Sequence, residues 1–467
     1  MGIIELFRSY KPFYVRNLKI AIPAVLSQLG QAVVILADSM MVGRLGTDEL
    51  AAVSFAGAIV LVGFLFALGI TFGATPLIGC QYSGGKHLRA ASLFQNSILL
   101  DLLVAAVICG VLYIISFFLD EMGQAKEVCT LARPYYLWLV ASLPPLFLFQ
   151  AFKQFMEGLG NTKIAMVITL ATNFLNVLLN YVFIFGKWGF PFWGVEGAGL
   201  ATFLSRLAMP LAFGLVFVYR VSLLRYFRLF RMRAFSMSEL YALGKVGVPI
   251  GSQMLVESFS FSLAAVIVGW FGAVSLASHQ IAMNVSSLTF MMASGIAAAT
   301  TIRVSHQMGV GDYFSMRKAG IASMHLCVCV NSIWAILMLV FLYEIPLAFT
   351  SDPLVVDLSA LLLVMCAIYQ IADGLQVVAL GALRGMADVE SPMRITVVCY
   401  LFVSLPVAYF CGVLLDWGAC GVWMGFIFSL NLVAFLLIKR FLKVSAQLMA
   451  HGSTGFSDHG VVTTGEK

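Results

Sequence analysis

Val42 to Gly85 (VGRLGTDELAAVSFAGAIVLVGFLFALGITFGATPLIGCQYSGG) falls without a gap on Val268 to Gly311 (VGWFGAVSLASHQIAMNVSSLTFMMASGIAAATTIRVSHQMGVG) when the chain is shifted 226 residues along itself. Thirteen of the 44 aligned pairs are identical, among them Gly43/Gly269, Gly46/Gly272, Gly69/Gly295, Thr75/Thr301, Gln81/Gln307 and Gly85/Gly311. An apolar background gives chance matches, but not this spacing of glycines, a threonine and a glutamine. Pro23 and Pro249 share the offset. A duplicated membrane domain predicts two lobes with a pathway between them, a common plan for transporters.

The repeat is built from membrane material. The chain is 61% hydrophobic and 11% charged, against about 25% charged in a typical soluble domain. Apolar runs of about 20 residues recur, each long enough to cross a bilayer core. The fold class expected is an all-α polytopic membrane protein. Twelve spans are predicted, near 17–42, 50–77, 90–118, 130–153, 163–186, 196–219, 240–269, 277–302, 318–343, 355–381, 392–415 and 419–441, separated by breakers such as GRLGTDE, GLGNTK, GKWGFPFWG, MGVGD and GMADVESP. Met1 to Lys19 is polar and basic, and the first apolar run is too long for a cleaved leader. The nine cysteines are scattered and read as reduced packing residues; Cys327 and Cys329, two apart, point to different faces.

Lys and Arg set the orientation. With the N-terminus inside, 23 of the 28 basic residues lie at cytoplasmic ends, leaving Arg44, Lys126, Arg133 and Lys187 outside and Arg206 within a span. Both termini are therefore expected in the cytoplasm. Six spans per copy is an even number, so the repeats are parallel. The domains expected are a six-helix lobe at 1–219, a cytoplasmic linker at 220–239, a second six-helix lobe at 240–445 and a disordered tail at 446–467. The linker's Arg/aromatic pattern (RYFRLFRMR) suits a helix lying on anionic lipid better than a nucleic-acid contact.

Charged groups inside the hydrocarbon are costly and are functional candidates by default. Glu257 in span seven has Gln253 and Phe261 one turn away on its own face. Asp373 in span ten has Tyr369 one turn before it, with Gln370 and Gln376 adding polarity and Gly374 admitting a neighbour. Two carboxylates and a phenol form a plausible oxygen site for a hard cation. Asp38 in span one has a polar counterpart in span five, where Asn173, Asn176 and Asn180 form one stripe, with Thr202 in span six. Gln280 and Asn284 share a face of span eight and are candidates to line a substrate path. Asp101 has no evident polar company and reads either as a relay acid or as a packing residue. No His lies at metal or nucleophile-activating spacing, and there is no HExxH, Walker or GxSxG motif, so an enzyme or an ATP-driven pump has little support.

The stretch VPIGSQMLVESFSF, the span-eight sequence through MGVGD, and the segments IPAVLSQLGQAVVILADSMMVGRLG, EGLGNTK, NFLNVLLNYVFIFG and YQIADGLQVVALGALRGMAD together resemble the multidrug and toxic compound extrusion (MATE) family, in its NorM-like bacterial branch. The resemblance spans about residues 17–443. It implies a V-shaped pair of six-helix bundles in a bacterial inner membrane, functional as a monomer, exporting organic cations or drugs by antiport with Na⁺ or H⁺. It implies no cofactor beyond that monovalent ion. Glu257, Tyr369 and Asp373 match the family's C-lobe cation site; Asp38, Asn176, Asn180 and Thr202 match its N-lobe polar cluster. Position 180 is Asn where some relatives have Asp, which removes one charge. The 22 Met and 38 Phe offer adaptable surface for varied ligands. A flippase for lipid-linked sugars would share the broader architecture, but would be expected to line its cavity with basic residues. A channel would need a ring of like groups, and the two repeats do not repeat their carboxylates.

Overall fold

The computed structural model describes residues 3–230 and 235–451. Among them, twelve helices are long and apolar enough to cross a membrane: Arg8–Gly43, Thr47–Ser83, His87–Glu121, Lys126–Gly158, Thr162–Phe185, Gly194–Tyr219, Met237–Gly269, Ala273–Val310, Tyr313–Val340, Pro353–Gly385, Glu390–Leu414 and Gly418–Ala450. They are called spans one to twelve below. No strand occurs among the described residues, as hydrocarbon demands of a backbone that must satisfy its own polar groups.

The breakers act as their chemistry predicts. Gly311 closes span eight with a left-handed backbone at φ 79°, and Asp312 caps span nine by accepting from the Ser315 amide at 2.9 Å. Asp352 caps span ten in the same way, through the Leu354 amide at 3.0 Å, with Pro353 in the first turn, where a missing N–H costs nothing. Large apolar side chains such as Val33, Leu36, Val107, Phe174, Leu211 and Phe435 are exposed, as expected of surfaces that face lipid.

Packing explains the repeated residues. A side chain at Gly69 would collide with the backbone of Gly251, and one at Gly295 with the backbone of Val25. Gly251 and Val25 are themselves 226 apart, so equivalent glycines receive equivalent partners. Thr75 donates to the Gln154 carbonyl at 3.2 Å, and Thr301 donates to the Gly381 carbonyl at 2.8 Å. Gly158 abuts Ile78 as Gly385 abuts Val304. In lipid the hydrophobic effect does not drive helices together, so close approach at small residues and buried hydrogen bonds must hold the bundle.

The chain forms two compact units. One comprises Leu29–Gly251 (the N-unit); the other comprises the residues up to Gln28 together with those from Ser252 onward (the C-unit). The packing boundary therefore falls inside spans one and seven, whereas the chain-order boundary was expected in the linker. Each repeat's leading half-helix packs with the other repeat, and Pro23 and Pro249 lie within those leading halves.

The linker begins as a helix, Val221–Arg228. Its Leu223 and Tyr226 are buried, and Tyr226 and Phe227 join an aromatic cluster with Phe155, Phe217 and Phe230. Arg225 and Arg228 remain exposed. Arg231 and Arg233 lie outside the described residues. At the other end, span twelve belongs to a helix running to His451, so residues 446–451, expected in a disordered tail, are helical instead. The apolar periodicity carries on through Leu448, which is buried. The rest of the expected tail lies outside the described residues.

Candidate cation-binding site

The C-unit brings Glu257 and Asp373 together through one amide. Gln376 Nε2 donates to Glu257 Oε1 at 3.2 Å, to Asp373 Oδ1 at 3.3 Å and to Tyr400 Oη at 2.8 Å. Tyr400 Oη donates to Glu257 Oε1 at 3.1 Å. An amide nitrogen has two protons, so three acceptors share them. Asp373 is 5% exposed, Gln376 1% and Tyr400 fully buried; Glu257 is half-buried.

Local sequence builds this arrangement. Tyr369, Asp373 and Gln376 follow helical spacing on one face of span ten. Gly374, on the neighbouring face, lies against Asn331 and Cys327 of span nine. Asn331 and Gln370 clasp each other reciprocally: Asn331 Nδ2 donates to the Gln370 carbonyl at 2.7 Å, and Gln370 Nε2 donates to the Asn331 carbonyl at 3.2 Å. This clasp fixes the rotation of span ten. Span eleven leaves α-geometry at Tyr400–Ser404 for a π-helical turn, of the kind that concentrates at functional sites.

Tyr369 stays within electrostatic reach of Asp373, but its hydroxyl bonds elsewhere. Its hydroxyl pairs with Ser286 Oγ at 2.5 Å, and its ring packs on Trp423 and Phe426. The phenol that reaches Glu257 is Tyr400, which sequence reasoning passed over because CYLFVS reads as a plain apolar turn. Phe261 packs on Tyr400 and Phe426, making an aromatic wall beside the site. Gln253 Oε1 accepts from Arg384 Nη2 at 3.4 Å. Gln280 and Asn284 are exposed and bond to each other at 3.2 Å.

The N-unit assembles the second cluster. Asn180 Nδ2 donates to Asp38 Oδ1 at 2.5 Å and to Asn176 Oδ1 at 3.2 Å, and Asn176 Nδ2 donates to Ser205 Oγ at 3.1 Å. Thr202 turns back to the Ala198 carbonyl of its own helix at 3.0 Å, so Ser205 completes the chain in its place. Arg206, next to Ser205, donates to Ser142 Oγ at 2.7 Å and lies within electrostatic reach of Asp38. Asp101 is 1% exposed, and its Oδ2 has no hydrogen-bond partner.

The formal charges of the two clusters differ. In the N-unit one carboxylate, Asp38, faces one guanidinium, Arg206. In the C-unit two carboxylates, Glu257 and Asp373, interact with each other, and the one guanidinium, Arg384, lies within electrostatic reach of Glu257. None of the salt bridges among the described residues involves Glu257 or Asp373. An uncompensated charge at this depth is expensive, and one monovalent cation would balance the C-unit cluster.

Comparison with known proteins agrees with the architecture. The MatE family model matches twice, over residues 23–182 and 249–410, starting at the repeat-related prolines. The chain is 32% identical to the probable multidrug resistance protein NorM of Bradyrhizobium diazoefficiens, covering 93% of this chain and 94% of that protein. It is 31% identical to the multidrug resistance protein NorM of Vibrio cholerae, covering 92% and 95%. Among solved structures, the Vibrio cholerae MATE transporter VcmN superposes with a TM-score of 0.85 at 19% identity, over 97% of this chain and 99% of that one. The eukaryotic MATE transporter AtDTX14 gives 0.85 at 18% identity, over 94% and 98%. The two curated relatives are named as multidrug resistance proteins and the two solved structures as transporters, and on the twofold match and the full-length relatives the chain belongs to the MatE family.

Proposed function

We propose that the protein is a secondary transporter of the inner membrane, with both termini cytoplasmic, that exports organic cations or drugs in exchange for Na⁺ or H⁺. The observation that carries this reading is the excess carboxylate of the C-unit cluster. A coupling cation that binds between Glu257 and Asp373 removes the repulsion of two acids held on one amide. Its binding shifts the conformational equilibrium to the extent that it prefers one state. The relatives' names as multidrug resistance proteins support drugs as the cargo. The lipid-linked sugar flippase is disfavoured because neither cluster carries excess positive charge: Arg206 lies within electrostatic reach of Asp38 and Arg384 within reach of Glu257, which suits a pyrophosphate poorly.

The test is export of a fluorescent organic cation from loaded cells under a Na⁺ gradient and a pH gradient imposed separately. One gradient is expected to drive export; if neither does, the proposal is overturned. Within the site, Tyr400→Phe removes a donor to Glu257 and is expected to weaken the apparent affinity for the coupling ion by roughly tenfold, the size of a hydrogen bond to a charged group. Tyr369→Phe, whose hydroxyl serves Ser286, is expected to change it by no more than about threefold. Ion titrations of export rate with the two variants side by side check this ordering.

A further inference from the structure

Arg384 is an incompletely satisfied cation. It stands in the last turn of span ten, and its bond to Gln253 is long at 3.4 Å. Its Nε is buried with no hydrogen-bond partner, as is Nε2 of Gln253. Buried donors left unpaired are costly, and charged ones more so, so this pairing is poorly anchored. Gln253 and Glu257 are four residues apart on one face of span seven, so the Glu257 carboxylate is the next oxygen along that face, about 5–6 Å further on. An arginine side chain covers that distance by changing rotamers. Asp388, the acid nearest Arg384 along the chain, is already engaged by Arg440 at 2.8 Å.

We propose that Arg384 is the resident counter-ion of the Glu257/Asp373 pair: when no coupling cation is bound, its guanidinium moves one helical turn from Gln253 to Glu257, and an arriving cation displaces it back. This rests on the reading of the cluster as the coupling site and gives that site a release device. A cation held by two carboxylates leaves slowly unless another positive group takes its place. Arg384 supplies that group from within the C-unit, and Gln253 is where it waits. The electrostatic interaction of Arg384 with Glu257 in the present arrangement fits a short path between the two positions.

The experiment uses purified full-length protein and reads thermal unfolding at constant ionic strength, with N-methylglucamine replaced by Na⁺, and in parallel as pH is lowered. Wild type, Glu257→Gln, Arg384→Gln and the double variant form a cycle. The expected result is a coupling between positions 257 and 384 in the Na⁺-free buffer at alkaline pH that disappears at saturating Na⁺ or low pH. A coupling that is absent, or that is the same with and without cation, overturns the inference. Gln253→Leu gives a second reading should Arg384→Gln fail to fold. Loss of the waiting position is expected to drive Arg384 onto Glu257 and weaken apparent cation affinity about tenfold; unchanged or tighter affinity overturns the inference. The underlying functional reading fails separately: in that case the wild type itself shows no stabilisation by Na⁺ or by protons that Glu257→Gln and Asp373→Asn remove.

Discussion

Glu257→Gln is expected to lower gradient-driven export on the order of a hundredfold, the upper end of ordinary coupling free energies between sites, while leaving the protein folded. The amide is nearly isosteric and its oxygen can still accept from Tyr400 and Gln376, the two donors that Glu257 Oε1 uses at 3.1 and 3.2 Å. What it cannot supply is the negative charge or a titrating proton. Asp373→Asn is expected to act in the same way, and the double variant to be little worse than either single one, because the two carboxylates work as a unit. Initial rates of export of a fluorescent cation, beside melting temperatures of the same preparations, separate loss of coupling from loss of fold. A single variant that retains wild-type export under the driving gradient would remove the C-unit cluster from the mechanism.

The second large effect is structural. Gly295→Leu and Gly69→Leu are each expected to abolish recovery of folded protein. Any Cβ at these positions meets the backbone of an incoming helix, Val25 in one case and Gly251 in the other, and backbone cannot be repacked as a side chain can. Overpacking alone costs about 1–3 kcal/mol for modest insertions, and a whole isobutyl group against main chain exceeds that. Gly214→Ala is the control: a Cβ there would meet nothing within 4 Å, and alanine is expected to leave yield and melting temperature unchanged. Monodispersity on size exclusion and the unfolding midpoint measure both outcomes. Normal folding of Gly295→Leu would contradict the account of why the repeat retains its glycines.

The two variants illustrate which parts of the molecule are legible in its sequence. Span number, order and the repeat could be read because lipid imposes long apolar helices and close packing imposes glycine, and both leave marks in one dimension. Glu257 and Asp373 stand out because a carboxylate in hydrocarbon has few innocent explanations. Tyr400 does not, since a tyrosine among Leu, Phe and Val is ordinary in a membrane helix, and the π-helical turn that begins at it has no evident signature. Ser205 replaces Thr202 in the N-unit chain for a similar reason. Both hydroxyls can bond back to their own helix, and which of them also reaches across depends on the neighbour's rotation. The division of spans one and seven between units was hidden because hydropathy follows chain order, whereas packing follows contacts between helices distant in the chain. Arg206 and Arg384 were visible as residues, but their matching against one and two carboxylates is a property of the folded clusters.

In the proposed mechanism, ion is exchanged for cargo through Glu257 and Asp373. The direct measurement is ion flux evoked by substrate in proteoliposomes, with Na⁺ and H⁺ movements recorded separately as an organic cation is added on one side. One of these ions is expected to move opposite to the substrate, in fixed proportion to it, and the movement to be abolished by Glu257→Gln and by Asp373→Asn. Substrate transport with no accompanying flux of either ion, or a flux that persists undiminished in both variants, would contradict the mechanism.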